Sequence, residues 1–200
     1  MAIKGLSKPI LGKYTNSSGT VTYSEGKTIG HAISYSAEIE MGDNNPLYGD
    51  NEIVENDKGI FQSGTLTLNT SELTNTVSKW LLGLTTNTYT IGEGTGATEV
   101  TETVFDDQAA PITVGFGIIE LHQVNDTDSY RTVILTKCVP KIPADAANTK
   151  GETIEWQTQE ITFDIQKDDT THHMWKIEAE FTSEAAALAY LQARLGVANG

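Results

Sequence analysis

Three stretches of the chain alternate between apolar and polar side chains with a period of two, the pattern of strands with one buried face. Residues 31–41 place Ile33, Tyr35, Ala37, Ile39 and Met41 on one side and Ser34, Ser36, Glu38 and Glu40 on the other. Residues 60–69 set Gly64, Leu66 and Leu68 against Ser63, Thr65 and Thr67. The stretch TKGETIEWQTQEITFDIQ, Thr149–Gln166, reads as one strand of about 15 residues, which spans roughly 50 Å at ~3.3 Å per residue, against 5–6 residues for an ordinary strand. Its apolar set is Ile154, Trp156, Ile161, Phe163 and Ile165, and its polar set includes Glu155, Gln157, Thr162 and Asp164. The apolar parity changes between Trp156 and Ile161, which predicts a β-bulge across 157–160. Met174–Phe181 is the last expected strand.

Two further strands, Pro111–Gln123 and Tyr130–Val139, are apolar over several consecutive residues. This pattern fits strands covered on both faces. The Asn125–Asp128 turn joins them, and Asn16–Gly19 predicts a hairpin between Ile10–Tyr14 and Thr20–Tyr23. Two segments switch to helical spacing. In the first, Asn69 and Glu72 resemble a capping box, Leu73, Val77, Trp80, Leu81 and Leu84 form the apolar stripe, and Gly83 is the stop. In the second, Ser183 caps a helix over Glu184–Leu195 with Ala187, Leu188, Leu191 and Leu195 on its face, ended by Gly196. The order of strands, helix, strands, helix predicts a mainly β fold: an antiparallel β-sandwich or barrel with a flanking α-helix and a C-terminal helix. The expected division is an N-terminal arm over 1–9, a β-domain over 10–182 and the C-terminal helix over 183–200.

Residues 42–59 interrupt this pattern. They are rich in Gly, Asn and Asp, so turn chemistry dominates, yet they carry Leu47, Tyr48, Ile53 and Val54. Long ordered loops are uncommon in compact domains and usually functional. Residues 85–110 read as a Thr- and Gly-rich loop with a short strand near Val100–Val104.

Charge narrows the function. Against 27 acidic residues there are 13 Lys and Arg, for a net charge of −14. Binding of nucleic acid by phosphate neutralisation needs clustered bases, which this chain lacks. An acidic surface instead keeps the chain soluble and lets a polyanion pass without sticking. The lone Cys138 excludes an intramolecular disulfide, in keeping with a reducing cytoplasm. The start MAIKGLSKPILG has no apolar core of a signal peptide, and no run of about 20 apolar residues predicts a membrane span.

No constellation of catalytic or metal-binding residues stands out. His172 and His173 beside Asp168 and Asp169 are adjacent on a strand or its tip, and adjacent strand side chains point to opposite faces. Gly92–Gly96 lacks the Lys-Ser/Thr of a phosphate loop. Glu155, Glu160 and Asp164 have no cleft to make them a glycosidase pair, and Cys138 lies in an apolar strand. His31 and His122 read as structural strand residues. The expectation is a protein that is not an enzyme and needs no cofactor.

Four stretches together resemble the major tail protein (tail tube protein) family of long non-contractile-tailed bacteriophages of Gram-positive hosts. They are HAISYSAEIEM running into PLYGDNEIVE; GTLTLNTSELTNTVSKWLLG; the pair PITVGFGIIEL and YRTVILTKCVPKIP; and TKGETIEWQTQEITFDI. They cover most of residues 31–166 in the family's order. The C-terminal helix is less characteristic of the family. The resemblance implies a phage tail tube fold and a virion structural protein. Such proteins self-assemble in the host cytoplasm into hexameric rings that stack into a conduit for the genome. The implied partners are further copies of the chain, the tape measure protein, the tail terminator and the baseplate or distal tail proteins. Double-stranded DNA passes without specific binding, and no membrane is involved. On that resemblance Ser34, Ser36, Glu38, Glu40, Ser63, Thr65, Thr67, Glu155, Gln157, Thr162 and Asp164 are the expected lumen face. Leu47, Tyr48, Ile53 and Val54 are the expected anchors of a ring-stacking loop over 42–59. Two plainer readings stand beside these: an outward solvated face, and a loop packed on its own subunit. An alternative for the whole chain is a monomeric β-sandwich that binds carbohydrate or a cell surface.

Overall fold

The computed structural model describes residues 2–144, 149 and 158–198. It is a mainly β, antiparallel sandwich with one flanking and one C-terminal helix. In chain order the strands are β1 (Ala2–Ser17), β2 (Thr20–Thr28), β3 (Ala32–Met41), β4 (Asn45–Gly49), β5 (Glu52–Asp57) and β6 (Phe61–Thr70). Helix α1 (Asn75–Leu82) follows, then β7 (Thr85–Ile91), β8 (Thr98–Val104), β9 (Val114–Val124), β10 (Thr127–Pro140), β11 (Gln159–Gln166), β12 (Lys176–Phe181) and α2 (Glu184–Arg194). The main sheet runs β2-β1-β9-β10-β11-β6-β3, and β12 adds to β10. Strand β10 changes neighbours along its length. Residues 130–135 pair with β12 and residues 137–140 with β11. At the fork, Thr136 holds the chain before β12, with its N–H donating to the Trp175 carbonyl (3.1 Å) and its hydroxyl to the Met174 carbonyl (2.7 Å).

The sheet curls, so β3, β6 and β11 face β1, β9 and β10 across the main core. Leu66, Leu68, Ile161, Phe163 and Ile165 meet Leu11, Val114, Phe116, Ile118, Val133 and Leu135 there, with Val77 and Leu81 of α1 at one end. Cys138 is buried in the same cluster, and burial pushes its thiol pKa up. A second cluster lies on the other side of β1, β9 and β10, where Ile10, Ile119 and Ile134 meet Ala187, Leu191 and Leu195 of the C-terminal segment. Successive residues of β9 and β10, such as Ile118 and Ile119 or Val133 and Ile134, therefore enter different cores. Their unbroken apolar runs reflect strands covered on both faces.

Helix α2 is seated on glycines. A Cβ on Gly12 of β1 would lie 2.3 Å from the Leu195 carbonyl oxygen, and one on Gly117 of β9 would lie 2.6 Å from a Leu195 methyl. Gly26 of β2 donates its N–H to the Gly196 carbonyl (2.9 Å). Ser183 caps the helix by accepting from the Ala186 N–H, and Gly196, at φ 66°, turns the chain out of it. Replacing Gly12 with Val must push the end of α2 off the sheet. Overpacking of this kind costs about 1–3 kcal/mol. A urea titration of G12V is expected to show that loss, and an unchanged midpoint would show that the glycine seat is incidental.

The structure corrects several expectations. Residues 2–9 are no arm but the first half of β1, paired with β9 from Ala2↔Gln123 onward, with irregularities between Ile3 and Gly5 and between Ser7 and Ile10. Lys8, at φ 55°, sits in the second of these, and beyond it Ile10 and Leu11, as successive strand residues, enter opposite cores. Helix α1 starts at Asn75 with Thr74 as its cap, because Asn69 and Thr70 are still in the β6 ladder opposite Glu160 and Gln159. Loop 42–59 is a β4–β5 hairpin. Asp50 and Asn51 both take positive φ (51° and 68°), the requirement of a two-residue type I′ turn. Residues 85–104 also form a hairpin, β7–β8, of which only the second strand was expected. Ile33 and Met41 are 50% and 54% exposed rather than on the half-buried face of β3, since a register shift falls at each end of that strand.

Candidate functional site

The polar positions of β3, β6 and β11 form one continuous face. Register places Ser34 beside Asn69 and Glu160, Ser36 beside Thr67 and Thr162, and Glu38 beside Thr65 and Asp164. Glu40 lies opposite Ser63, whose hydroxyl donates to its carboxylate (2.6 Å). The Asn69 amide donates to the Ser34 hydroxyl (3.1 Å). Nine of the residues expected to share a face therefore do so: Ser34, Ser36, Glu38, Glu40, Ser63, Thr65, Thr67, Thr162 and Asp164. Glu155 and Gln157 lie outside the described residues; of the bulge predicted across 157–160, Gln159 and Glu160 are described and pair with Thr70 and Asn69 in unbroken register.

This face is acidic and hydroxyl-rich. Lys141 reaches it and is paired with Asp164 (2.7 Å). Lys137, opposite Gln166, is paired with Asp169 (2.9 Å). The opposite side of the same three strands is the main core, so the polar face is the sheet's outer surface within one chain. Strand β3 ends the sheet, and among the described residues its outer N–H and C=O groups have no strand partner. An edge of ten residues left open in this way is a pairing surface for another chain.

The four apolar residues of the β4–β5 hairpin are all exposed: Leu47 62%, Tyr48 65%, Ile53 56% and Val54 66%. They do not form a single stripe. Tyr48 opposes Ile53 on one face, Leu47 opposes Glu55 on the other, and a register shift after Leu47 leaves Val54 between the paired positions. The hairpin is thus apolar on both sides, and it packs on no other element to a substantial degree among the described residues. Its root is tight. The Gly42 N–H donates to the Ile60 carbonyl (2.8 Å) and the Gly59 N–H to the Asn44 side chain (3.0 Å), and a Cβ on Gly59 would collide with the Gly42 carbonyl. An isolated two-stranded hairpin is marginal in water, and covering each large apolar side chain is worth about 1.5–3 kcal/mol.

One polar cluster was not foreseen from the sequence. The Glu120 carboxylate of β9 is 1% exposed and accepts from the Tyr35 hydroxyl, from Arg131 Nε (2.7 Å) and from its terminal nitrogen (2.6 Å), with His122 Nε2 at 2.9 Å. Burial alone would raise its pKa, but the Tyr35, His122 and Arg131 contacts outweigh that and hold it below the usual glutamate range. Burial and the Glu120 bond push the Tyr35 hydroxyl pKa up. The cluster links β3 to β9 and β10 across the fold, and the partners lie 85 and 11 residues from Glu120 in sequence. The alternation at 116–122 places Glu120 and His122 on the face of Phe116 and Ile118, and this was the available signal.

The turn after β11 uses its acids internally. Asp168 accepts from the Thr170 hydroxyl (2.6 Å), and its carbonyl lies 3.2 Å from His173 Nδ1. Asp169 accepts from the Tyr14 hydroxyl (2.7 Å) and from Lys137 (2.9 Å). Compared with known proteins, the chain matches no protein-family model and no curated protein.

Proposed function

We propose that this chain is a structural subunit of a tube: a tail tube protein that assembles into stacked hexameric rings and lets a genome pass. The single observation that carries the reading is the continuous acidic and hydroxyl face across β3, β6 and β11, bordered by the open β3 edge. A polar face of that extent on a sheet with an open edge is suited to a barrel shared between subunits. Neighbours would close the β3 edge by backbone hydrogen bonds in a cyclic head-to-tail interface. With β3, β6, β11 and the end of β10 from each of six copies, a wall of strands ~4.8 Å apart has a backbone diameter of at least about 37 Å. Carboxylates facing inward repel phosphates, and lysines neutralised by aspartates offer DNA little to hold.

The mechanism is therefore physical. Among the described residues the wall presents no clustered bases, so translocating DNA meets no binding site on them. The exposed β4–β5 hairpin supplies the contact along the tube axis, its two apolar faces covered by the next ring. Negative-stain electron microscopy with light scattering on the purified chain tests this. Rings or tubes of uniform diameter are expected, and a chain that stays monomeric at every concentration reached would contradict the proposal.

A further inference from the structure

The β7–β8 hairpin is a second exposed structure, and the tube reading leaves it without a role. Its two faces differ. One carries Thr86 opposite Thr103, Thr88 opposite Thr101, and Thr90 opposite Glu99. The other carries Tyr89 opposite Val100, with Ile91 beyond them, exposed by 57%, 40% and 56%. Like the first hairpin, it packs on no other element to a substantial degree among the described residues. A ribbon with one bare apolar face is marginal until that face is covered.

Charge indicates what covers it. Residues 85–107 hold five acids, Glu93, Glu99, Glu102, Asp106 and Asp107, and no Lys or Arg. Residues 43–57 also hold five acids and no base. The two hairpins thus carry ten of the chain's 27 acidic residues and none of its 13 basic ones, so they repel one another. The surface that suits the β7–β8 hairpin is apolar and basic.

The body of the same chain has such a surface. Trp80 of α1 is half-buried and donates its indole N–H to Glu25 (3.0 Å), which also accepts from Lys13 (2.7 Å). Lys27 Nζ lies 5.4 Å from the centre of the Trp80 ring, within cation–π range. Lys13 and Lys27 against the single carboxylate of Glu25 leave the patch positive. The chain's own hairpin leaves Tyr89 and Ile91 exposed, so it does not cover this patch with them. Seven-residue strands reach about 23 Å, enough to cross to an adjacent molecule.

We propose that the apolar face of the β7–β8 hairpin docks on the Lys13–Lys27–Trp80 patch of a second copy of this chain, with Glu93 and Glu102 meeting its lysines. The pairing of copies in a ring rests on the tube reading, while the contact itself does not. Charge reversal tests it. The variants E93K/E102K and K13E/K27E each place like charges together, and each is expected to raise the concentration at which the chain associates by at least about tenfold. The quadruple variant, with arm and patch both reversed, is expected to return to within about threefold of the original chain. Sedimentation velocity reads the association, and thermal melting verifies that every variant is folded. Tyr89→Ser with Val100→Ser, which keeps the charge, is expected to weaken association as well.

Double variants that associate like the original chain, or a quadruple variant as weak as either double, would overturn the docking. Tubes that form equally well with reversed charges would overturn it and leave the tube reading standing. Discrete dimers without tubes, lost on reversal and regained in the quadruple variant, would establish the docking and remove the tube reading.

Discussion

Removal of residues 44–56 is expected to leave a folded, soluble chain that forms no tubes. The β4–β5 hairpin contributes little to its own subunit, since Leu47, Tyr48, Ile53 and Val54 are more than half exposed and the two clusters of the core lie elsewhere. The hydrogen bond from Gly42 to Ile60 closes the neck without the hairpin. The shortened chain should therefore unfold in urea with a free energy within about 1 kcal/mol of the original, as surface changes generally do. Assembly is different. Four large apolar side chains, each worth about 1.5–3 kcal/mol when covered, would be lost from every contact between rings. Electron microscopy of the deleted protein is expected to show isolated rings or monomers. Tubes of normal length would remove the hairpin from the stacking account.

Glu120→Ala is expected to be the most destabilising single substitution in the chain, by about 3–5 kcal/mol. The reason is asymmetric: the carboxylate accepts from Tyr35 and Arg131 and lies against the buried His122, and deleting it strands their polar groups. Glu120→Gln keeps the shape and one acceptor, and it should cost less. The same carboxylate sets an acid limit. Its folded pKa lies below that of the unfolded chain, so its contribution is fully present above the unfolded glutamate range and is lost as pH falls through the folded value. Denaturation across pH 3 to 7 is expected to show stability falling with acid in the original chain and a flatter profile in Glu120→Gln. Equal slopes would mean that other groups govern the acid response.

The strands were readable wherever one face is buried, because period-two alternation records that directly. Ser34–Glu40, Ser63–Leu68 and Ile161–Ile165 take the faces their pattern implies. The unbroken apolar runs of β9 and β10 correctly announced two covered faces, one of them supplied by α2. Failures occurred where the deciding force lay far away in sequence. Asn69 and Glu72 have the residue types of a helix start, yet pairing of Asn69 and Thr70 with β11 carries the strand past it. Residues 2–9 look too polar for a strand because most of them are only partly covered even where they pair with β9. Neither hairpin announces itself in the sequence, since Asp50-Asn51 and Gly92–Ala97 lack the usual Asn-Gly or Asp-Gly turn signal. For the candidate site, the polar face was legible residue by residue. The Glu120 cluster was not, because its binding partners come from three strands.

The central claim is that the polar face of β3, β6 and β11 lines a lumen. A map of the assembled protein at side-chain resolution tests it most directly. The account predicts Ser36, Glu38, Thr65, Thr67, Thr162 and Asp164 on the inner wall, with the β3 edge hydrogen-bonded to the adjacent subunit. An assembly in which these side chains face the outer solvent, or in which the β3 edge stays unpaired, would contradict it.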